Sequence, residues 1–299
     1  MRVKIAPIGA QGSIPAIRAA AIEIEALGAD AIVLADHIGH PPGRARIDVF
    51  ALAYAVAQVT TRLNIVIGVA ALTFREPAIL AKMATGLSLV SGGRLILGIG
   101  TGVRAGEHEM FGIRFPPDGE RVSRLEEYVQ IVESLCDGTD RPVTFTGRYY
   151  ALRDARNLPP PPARIPLLIG GAGDRMLRIA ARHADIWDIP DHFFDRIRER
   201  AARFSEEVAK TGRAVARSIA IPISIAAPTL EQLASNRASL AWGAFGDRDA
   251  MMARILDLAA QGNFDDITLV PMGDKRSFDR ALELVPLIRK ELGPVLARV

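Results

Sequence analysis

The chain has 299 residues, 49% hydrophobic and 24% charged, and its 37 lysines and arginines against 34 acidic residues leave a formal charge of +3. With the two signs interspersed, that balance excludes the basic footprint of a nucleic-acid binder and still tolerates an anionic small ligand. The single cysteine, Cys136, excludes disulfide frameworks, zinc ribbons and CxxC redox pairs. No apolar run nears the about 18 residues of a membrane span, and Met1 to Gly12 lacks the build of a secretory signal. The expectation is a soluble cytoplasmic protein with neither nucleic-acid nor membrane partners.

By usual domain size this length suggests two domains, but a (β/α)₈ barrel runs to roughly 250 residues and beyond as one unit. Chain order favours that single domain over residues 1–299. Short β-rich runs alternate with amphipathic helical runs, the pattern of βα units around a parallel sheet. Strand one is expected at Val3 to Ile8, then Ser13 as N-cap, Pro15 in the first turn, and a helix to Leu27 stopped by Gly28. Unit two has Ala31 to Ala35 and a helix near Val49 to Val59. Unit three has Asn64 to Ala71 and a helix from Pro77 to Val90, with Ile79, Leu80, Met83, Leu87 and Val90 on one face. Strand four is Arg94 to Gly98, followed by a Gly-rich loop and a helix striped by Val122, Leu125, Val129, Val132 and Leu135, with Cys136 inside it.

There the regular beat breaks. Residues 138–166 hold two short strand-like pieces, Val143 to Phe145 and Tyr149 to Leu152, and the run Asn157 to Pro162, whose four prolines forbid helix. This segment reads as an insertion lying over one barrel end. Strands five to eight are expected at Leu167 to Ile169, Asp185 to Ile189, Ile219 to Ala226 and Ile267 to Pro271. Leu230 to Leu240 and Asp247 to Gln261 read as two helices, broken at Gly243 and Gly246, that form a lid or a dimer element. The last helix, Ser277 to Leu292, should kink or restart at Pro286. The fold class is therefore α/β, a (β/α)₈ TIM barrel with an insertion between helix four and strand five and extra helices before strand eight.

In such a barrel, chemistry sits at the C-terminal ends of the strands. After strand two, Asp36-His37-Ile38-Gly39-His40 brings titratable groups directly behind an apolar run; the competing reading is a turn cap and a packed ring. After strand three, Gly68-Val69-Ala70-Ala71-Leu72 offers small residues where a bulge could approach a flat ligand. After strand four, Gly98-Ile99-Gly100-Thr101-Gly102 bares backbone ahead of Glu107-His108-Glu109, without the Rossmann spacing. After strand five, Gly170-Gly171-Ala172-Gly173-Asp174-Arg175 opens straight into a helix, so backbone N–H groups at a positive helix end form an anion cradle. Metal hydrolysis would draw on His37, His40, Glu107, His108 and Glu109, but the first strand carries no His-x-His and no HExxH occurs, so no metal is expected. Nucleophilic catalysis lacks a Gly-x-Ser-x-Gly elbow, and Cys136 lies far from these loops.

Several segments together resemble the bacterial luciferase-like flavin or deazaflavin oxidoreductases. They are Asp48 to Thr61 with Phe50-Ala51-Leu52-Ala53, Pro77 to Lys82, and above all Ser91-Gly92-Gly93-Arg94 running through Leu97-Gly98-Ile99-Gly100-Thr101-Gly102. Phe111-Gly112, Arg124-Leu125-Glu126-Glu127-Tyr128, Phe145 to Tyr150, and Ile169 to Gly173 leading into Ala180-Ala181-Arg182-His183-Ala184-Asp185 are similar as well. The resemblance covers residues 30 to 190 well and the rest loosely, and it is silent on substrate. It implies that Asp36 and His37 match the acid and histidine facing the cofactor ring in deazaflavin members. It also implies that Ala70 and Ala71 match a pair joined by a non-prolyl cis peptide supporting the ring, and that Gly170, Gly171, Ala172 and Gly173 match the phosphate-holding loop. The backbone of Gly100, Thr101 and Gly102 is expected to belong to the same cofactor site. Where some members carry an acid or a Trp after Gly-Thr-Gly, this chain has Val103, so that role falls to Glu107, His108 or Glu109, or to none.

The resemblance thus implies an oxidoreductase that passes hydride between coenzyme F420 and a small organic substrate, with His37 as proton donor or acceptor and Asp36 orienting it or holding a polar group. An FMN-dependent monooxygenase using reduced flavin and O₂ is the alternative on the same scaffold. A non-catalytic flavin- or deazaflavin-binding protein is the alternative of another class, against which Asp36 and His37 argue. Family members are often dimers, and the alanine-rich helix around Ala51 to Ala57 could pack on a second copy, so a homodimer is expected.

Overall fold

A computed structural model of the chain describes residues 1–39, 45–226, 243–272 and 275–296. In chain order the first half holds β1 (Arg2–Ile5), α1 (Ile14–Ala26), β2 (Ala31–Leu34), α2 (Val49–Ala57), β3 (Asn64–Ala71), α3 (Pro77–Ser91), β4 (Leu95–Gly100), α4 (Ala105–Met110) and α5 (Asp118–Leu135). Next come β5 (Val143–Thr146), β6 (Ala151–Ala155), β7 (Leu167–Gly170), α6 (Asp174–His183), β8 (Ile186–Ile189) and α7 (Ile197–Ala209). The last elements are β9 (Ala216–Ser224), β10 (Ala244–Phe245), α8 (Arg248–Gly262), β11 (Asp266–Pro271) and α9 (Lys275–Leu296).

Eight parallel strands close on themselves in the order β1, β2, β3, β4, β7, β8, β9, β11, with β11 returning to β1. This is the TIM barrel read from the sequence. β10 extends the end of β9 by two residue pairs, Ala244 with Ile223 and Phe245 with Ser224. Side-chain oxygens set the helix starts: Ser13 accepts from the Ala16 N–H, Asp48 from Phe50 and Ala51, and Asp247 from Ala250. The main core lies between strands and helices, and a smaller apolar cluster of Ala31, Val66, Leu168 and Ile186 fills part of the barrel interior. No helix among the described residues is long and apolar enough to cross a membrane.

Several expectations are corrected. β4 runs two residues further than expected, so Ile99 and Gly100 belong to the strand. The buried face of α3 carries Leu80, Ala81, Ala84, Leu87 and Ser88, while Ile79 and Val90 are 57% and 52% exposed, because the small side chains let the helix sit close on the barrel. The α5 stripe holds, with Leu125, Val129, Val132 and Leu135 buried, but Cys136 is the residue capping that helix rather than one inside it. The 138–166 segment forms the antiparallel β5–β6 hairpin, and none of its residues lines the cavity at the C-terminal ends of the strands. Its turn is gathered by Glu127 of α5, whose carboxylate accepts the N–H groups of Arg148, Tyr149 and Tyr150. Asn157 holds its far end, donating to Thr85 and to the Leu135 carbonyl, so the segment lies on the outside of α3 and α5. α9 continues through Pro286 without restarting, since Leu284, Val285 and Ile288 around it are fully buried. The expected helix at Leu230 to Leu240 and the residue His40 lie outside the described residues.

Candidate active site

The C-terminal ends of the strands open onto a cavity of about 890 Å³, large enough for a ring cofactor and a small substrate together. Asp36, His37, Ala71, Gly100, Thr101, Gly102, Gly170, Gly171, Ala172 and Gly173 all line it. Ala70 does not, being buried in the core behind the wall.

His37 follows β2, and its Nδ1 lies 3.1 Å from Glu107 Oε2 in α4. A carboxylate only accepts, so Nδ1 carries the hydrogen and Nε2 is the ring atom that takes up or delivers a proton. The other Glu107 oxygen accepts from the backbone N–H of Ile38 and of Gly39, the latter at 2.7 Å. Burial acts to raise the Glu107 carboxyl, but the Gly39 N–H, the His37 ring and the Ile38 N–H outweigh it and hold it below the usual carboxylate range. Glu107 thus fixes both the ring and the backbone that carries it.

Asp36 does not orient His37. Its Oδ2 accepts from Arg75 Nη1 at 2.6 Å and from the Ala71 N–H at 3.2 Å, and Arg75 reaches on to Asp48, the cap of α2, at 2.6 Å. The second oxygen of Asp36, Oδ1, is buried without a hydrogen-bond partner. Burial pushes the Asp36 carboxyl up despite the Arg75 charge and hydrogen bond. An orphaned carboxylate oxygen in a cavity wall is a place for a ligand donor. His108, one residue beyond Glu107, also lines the cavity but has both ring nitrogens engaged: Nδ1 donates to the Arg104 carbonyl at 2.7 Å, Nε2 meets the Thr73 hydroxyl at 2.6 Å, and the ring stacks on Phe74.

The non-prolyl cis peptide lies between Gly68 and Val69, correcting the expectation of one at Ala70-Ala71. The ladder between β3 and β4 shifts register between Ile67 and Ala70, so the bulge comes two residues earlier and turns Val69 into the cavity. Glycines of the adjacent strand β4 make room for it, while Gly170 lies at ordinary contact distance. A Cβ on Gly100 would lie 2.6 Å from Val69 Cγ2, one on Gly98 2.9 Å from Cγ1 and 2.2 Å from the Ile67 carbonyl oxygen, and one on Gly170 3.6 Å from Cγ1. Gly98 and Gly100 therefore serve the bulge as well as any ligand. Sequence reasoning did not connect them, though glycines at matching heights on adjacent strands are the available signal.

At the opposite rim, Gly173 caps α6 with no side-chain partner, and a Cβ there would meet nothing within 4 Å, so the first-turn N–H groups keep open space before them. The Gly171 carbonyl is anchored by Trp187 Nε1 at 2.7 Å and its N–H donates to the Asp188 carbonyl at 3.1 Å. Arg121 lies 3.8 Å from the Phe115 ring centroid, bonds the Gly102 carbonyl at 3.3 Å, and buries an Nε without a partner. Sequence reasoning missed Arg75 and Arg121, which carry no motif.

A closed parallel barrel with a ligand-sized cavity at the C-terminal ends of its strands defines a TIM-barrel enzyme scaffold. Residues 3–280 match the model of the luciferase-like monooxygenases, and the chain belongs to that family. It is 37% identical over 173 residues to an uncharacterized protein of Mycobacterium tuberculosis, covering 56% of this chain and 58% of that one. It is 32% identical over 219 residues to the F420-dependent glucose-6-phosphate dehydrogenase of Amycolatopsis mediterranei, covering 68% and 63%. It is 34% identical over 176 residues to the pyrimidine monooxygenase RutA of an Enterobacter species, covering 56% and 46%. The chain thus spans less than two thirds of the length of these relatives. Among solved structures, an F420-dependent secondary alcohol dehydrogenase in complex with an F420-acetone adduct superposes with a TM-score of 0.83 over 96% of this chain and 99% of that one, at 19% identity. The relatives thus include F420-dependent dehydrogenases and a monooxygenase.

Proposed function

We propose that the protein transfers hydride between coenzyme F420 and a small organic substrate, with His37 moving the accompanying proton. The observation that carries this reading is the His37–Glu107 pair, which opens onto the same cavity as the Gly170–Gly173 loop. When bound, a deazaflavin supplies a ring carbon that accepts or gives hydride. The cavity suits such a group through the orphaned Asp36 Oδ1, the Val69 bulge that flattens one wall, and the uncapped start of α6, where the phosphate would be held by backbone N–H groups.

Nε2 of His37 receives the hydroxyl proton of an alcohol substrate as its carbon is oxidised, and returns it to the carbonyl oxygen in the reverse direction. Glu107 keeps the ring in the tautomer that has Nε2 as acceptor and stabilises the imidazolium that forms, so it is a positioning residue. Asp36 offers Oδ1 to a donor on the cofactor or substrate. The likeness to the Amycolatopsis F420-dependent enzyme supports the deazaflavin, while the likeness to RutA supports the FMN monooxygenase as second reading.

The test is a fluorescence titration with F420 and, separately, FMN, each oxidised and reduced. Binding of F420 at micromolar or lower concentration with much weaker FMN binding is expected. Preference for reduced FMN would replace the hydride-transfer reading with the monooxygenase, and binding of neither would overturn both.

A further inference from the structure

At the floor of the cavity stands a cation that the hydride-transfer reading does not use. Along β1 the side chains alternate, so Val3 and Ile5 join the outer core while Lys4 points into the barrel. Lys4 is 2% exposed and lines the cavity together with Thr268 of β11 and Ala220 of β9. Barrel interiors are normally filled with branched apolar side chains, as the opposite half of this one is, with Val66 and Leu168. An ion pair in that place is a poor stabiliser, because desolvation offsets the attraction and an apolar filling would serve as well or better.

Lys4 Nζ donates to Ser218 Oγ at 2.8 Å and to Asp266 Oδ2 at 3.2 Å. Asp266 also holds Arg2 Nε through Oδ1, at the shorter distance of 2.6 Å. Two cations therefore share one carboxylate, which leans toward Arg2, whose side chain is 45% exposed, while Lys4 stays buried with the longer contact. An ammonium has three N–H donors, and Ser218 and Asp266 are the partners of Lys4 among the described residues, so one donor remains for a ligand in the cavity. Above Lys4 the wall is apolar, formed by Val33, Val66, Val69 and Leu168. Nearer the mouth Asp36 is paired with Arg75, Glu107 with His37 and Asp118 with Arg121, and Arg104 and Asp188, the latter in register with Ser218, line the cavity as well.

We propose that Lys4 reads a carboxylate at the inner end of an otherwise apolar small molecule. The buried ammonium with its one spare donor fits a carboxylate, and the apolar wall fits the body of the ligand. That this ligand is the hydride-transfer substrate rests on the function proposed above; that the floor selects an anion does not.

The experiment titrates the protein, without cofactor, with the straight-chain carboxylates from butanoate to octanoate and with the matching primary amides, by calorimetry. The wild type should bind the best carboxylate at least about tenfold more tightly than its amide, the scale of one charge-assisted hydrogen bond. Lys4→Met should bring the two to within about twofold while leaving amide affinity unchanged, and Lys4→Arg should keep a carboxylate preference. Equal affinity of acid and amide in the wild type, or no binding of any carboxylate, overturns the proposal even if Lys4→Met fails to fold. A preference that survives in folded Lys4→Met also overturns it. The F420 titration is separate: loss of F420 binding beside a Lys4-dependent preference for acids would defeat the hydride-transfer reading and leave the anion site standing.

Discussion

Glu107 joins three contacts in one carboxylate, the His37 ring and the N–H groups of Ile38 and Gly39. Glu107→Gln keeps the shape but weakens all three, and should lower kcat by about ten- to a hundredfold with F420 affinity unchanged. His37→Ala should lower it by about a hundredfold or more; turnover equal to wild type would remove His37 from the mechanism. The pH dependence follows from the lowered Glu107 pKa. A carboxyl depressed in the folded state contributes stability that is present above its unfolded value, about 4.5, and lost as the pH falls through the folded value. Glu107→Gln should therefore be less stable than wild type by about 1–2 kcal/mol at pH 7, and the gap should close on acidification below about pH 4.5 in denaturant melts. Asp36 and His37 were legible because polar groups directly after an apolar strand stand at a barrel mouth. Their partners were not, since Glu107 and Arg75 come from loops and helices 70 and 39 residues further along the chain.

Most elements were legible from periodicity and caps. β3 falls where alternation put it, and Ser13, Asp48 and Asp247 all accept hydrogen bonds from the first turns of their helices. What could not be read was how β3 and β4 interlock. Val69 sits against Gly98 and Gly100, and the two glycines differ in what a Cβ there would strike. Gly100→Ala meets only the Val69 side chain, at 2.6 Å, so it should cost about 1–3 kcal/mol and be rescued by Val69→Ala. Gly98→Ala meets the Ile67 carbonyl oxygen at 2.2 Å, so the same second substitution should not rescue it. Thermal melts of the two singles and two doubles decide this; rescue of neither would mean that Val69 is not the wedge, and rescue of both that the Ile67 carbonyl is not the obstacle at Gly98.

Over the whole molecule, burial controls the one thiol. Cys136 is 1% exposed, and burial pushes its thiol up to about 12. A disulfide reagent at pH 8 should therefore label it only as fast as the barrel opens, and addition of denaturant should bring labelling to the rate of a free cysteine. Rapid labelling in native buffer would show that the packing of α5 against Ala81 and its neighbours is looser than described.

By itself the sequence determined the repeated βα beat, the closed barrel class, the glycine-rich start of α6 and the position of Asp36-His37, because each is written in a local pattern of side-chain period, cap or turn residue. Only the tertiary structure decided which carboxylate serves His37, where the bulge turns Val69 inward, and that Lys4 lies under the cavity. Those are contacts between strands and loops far apart in the chain, and closure of the barrel sets their distances.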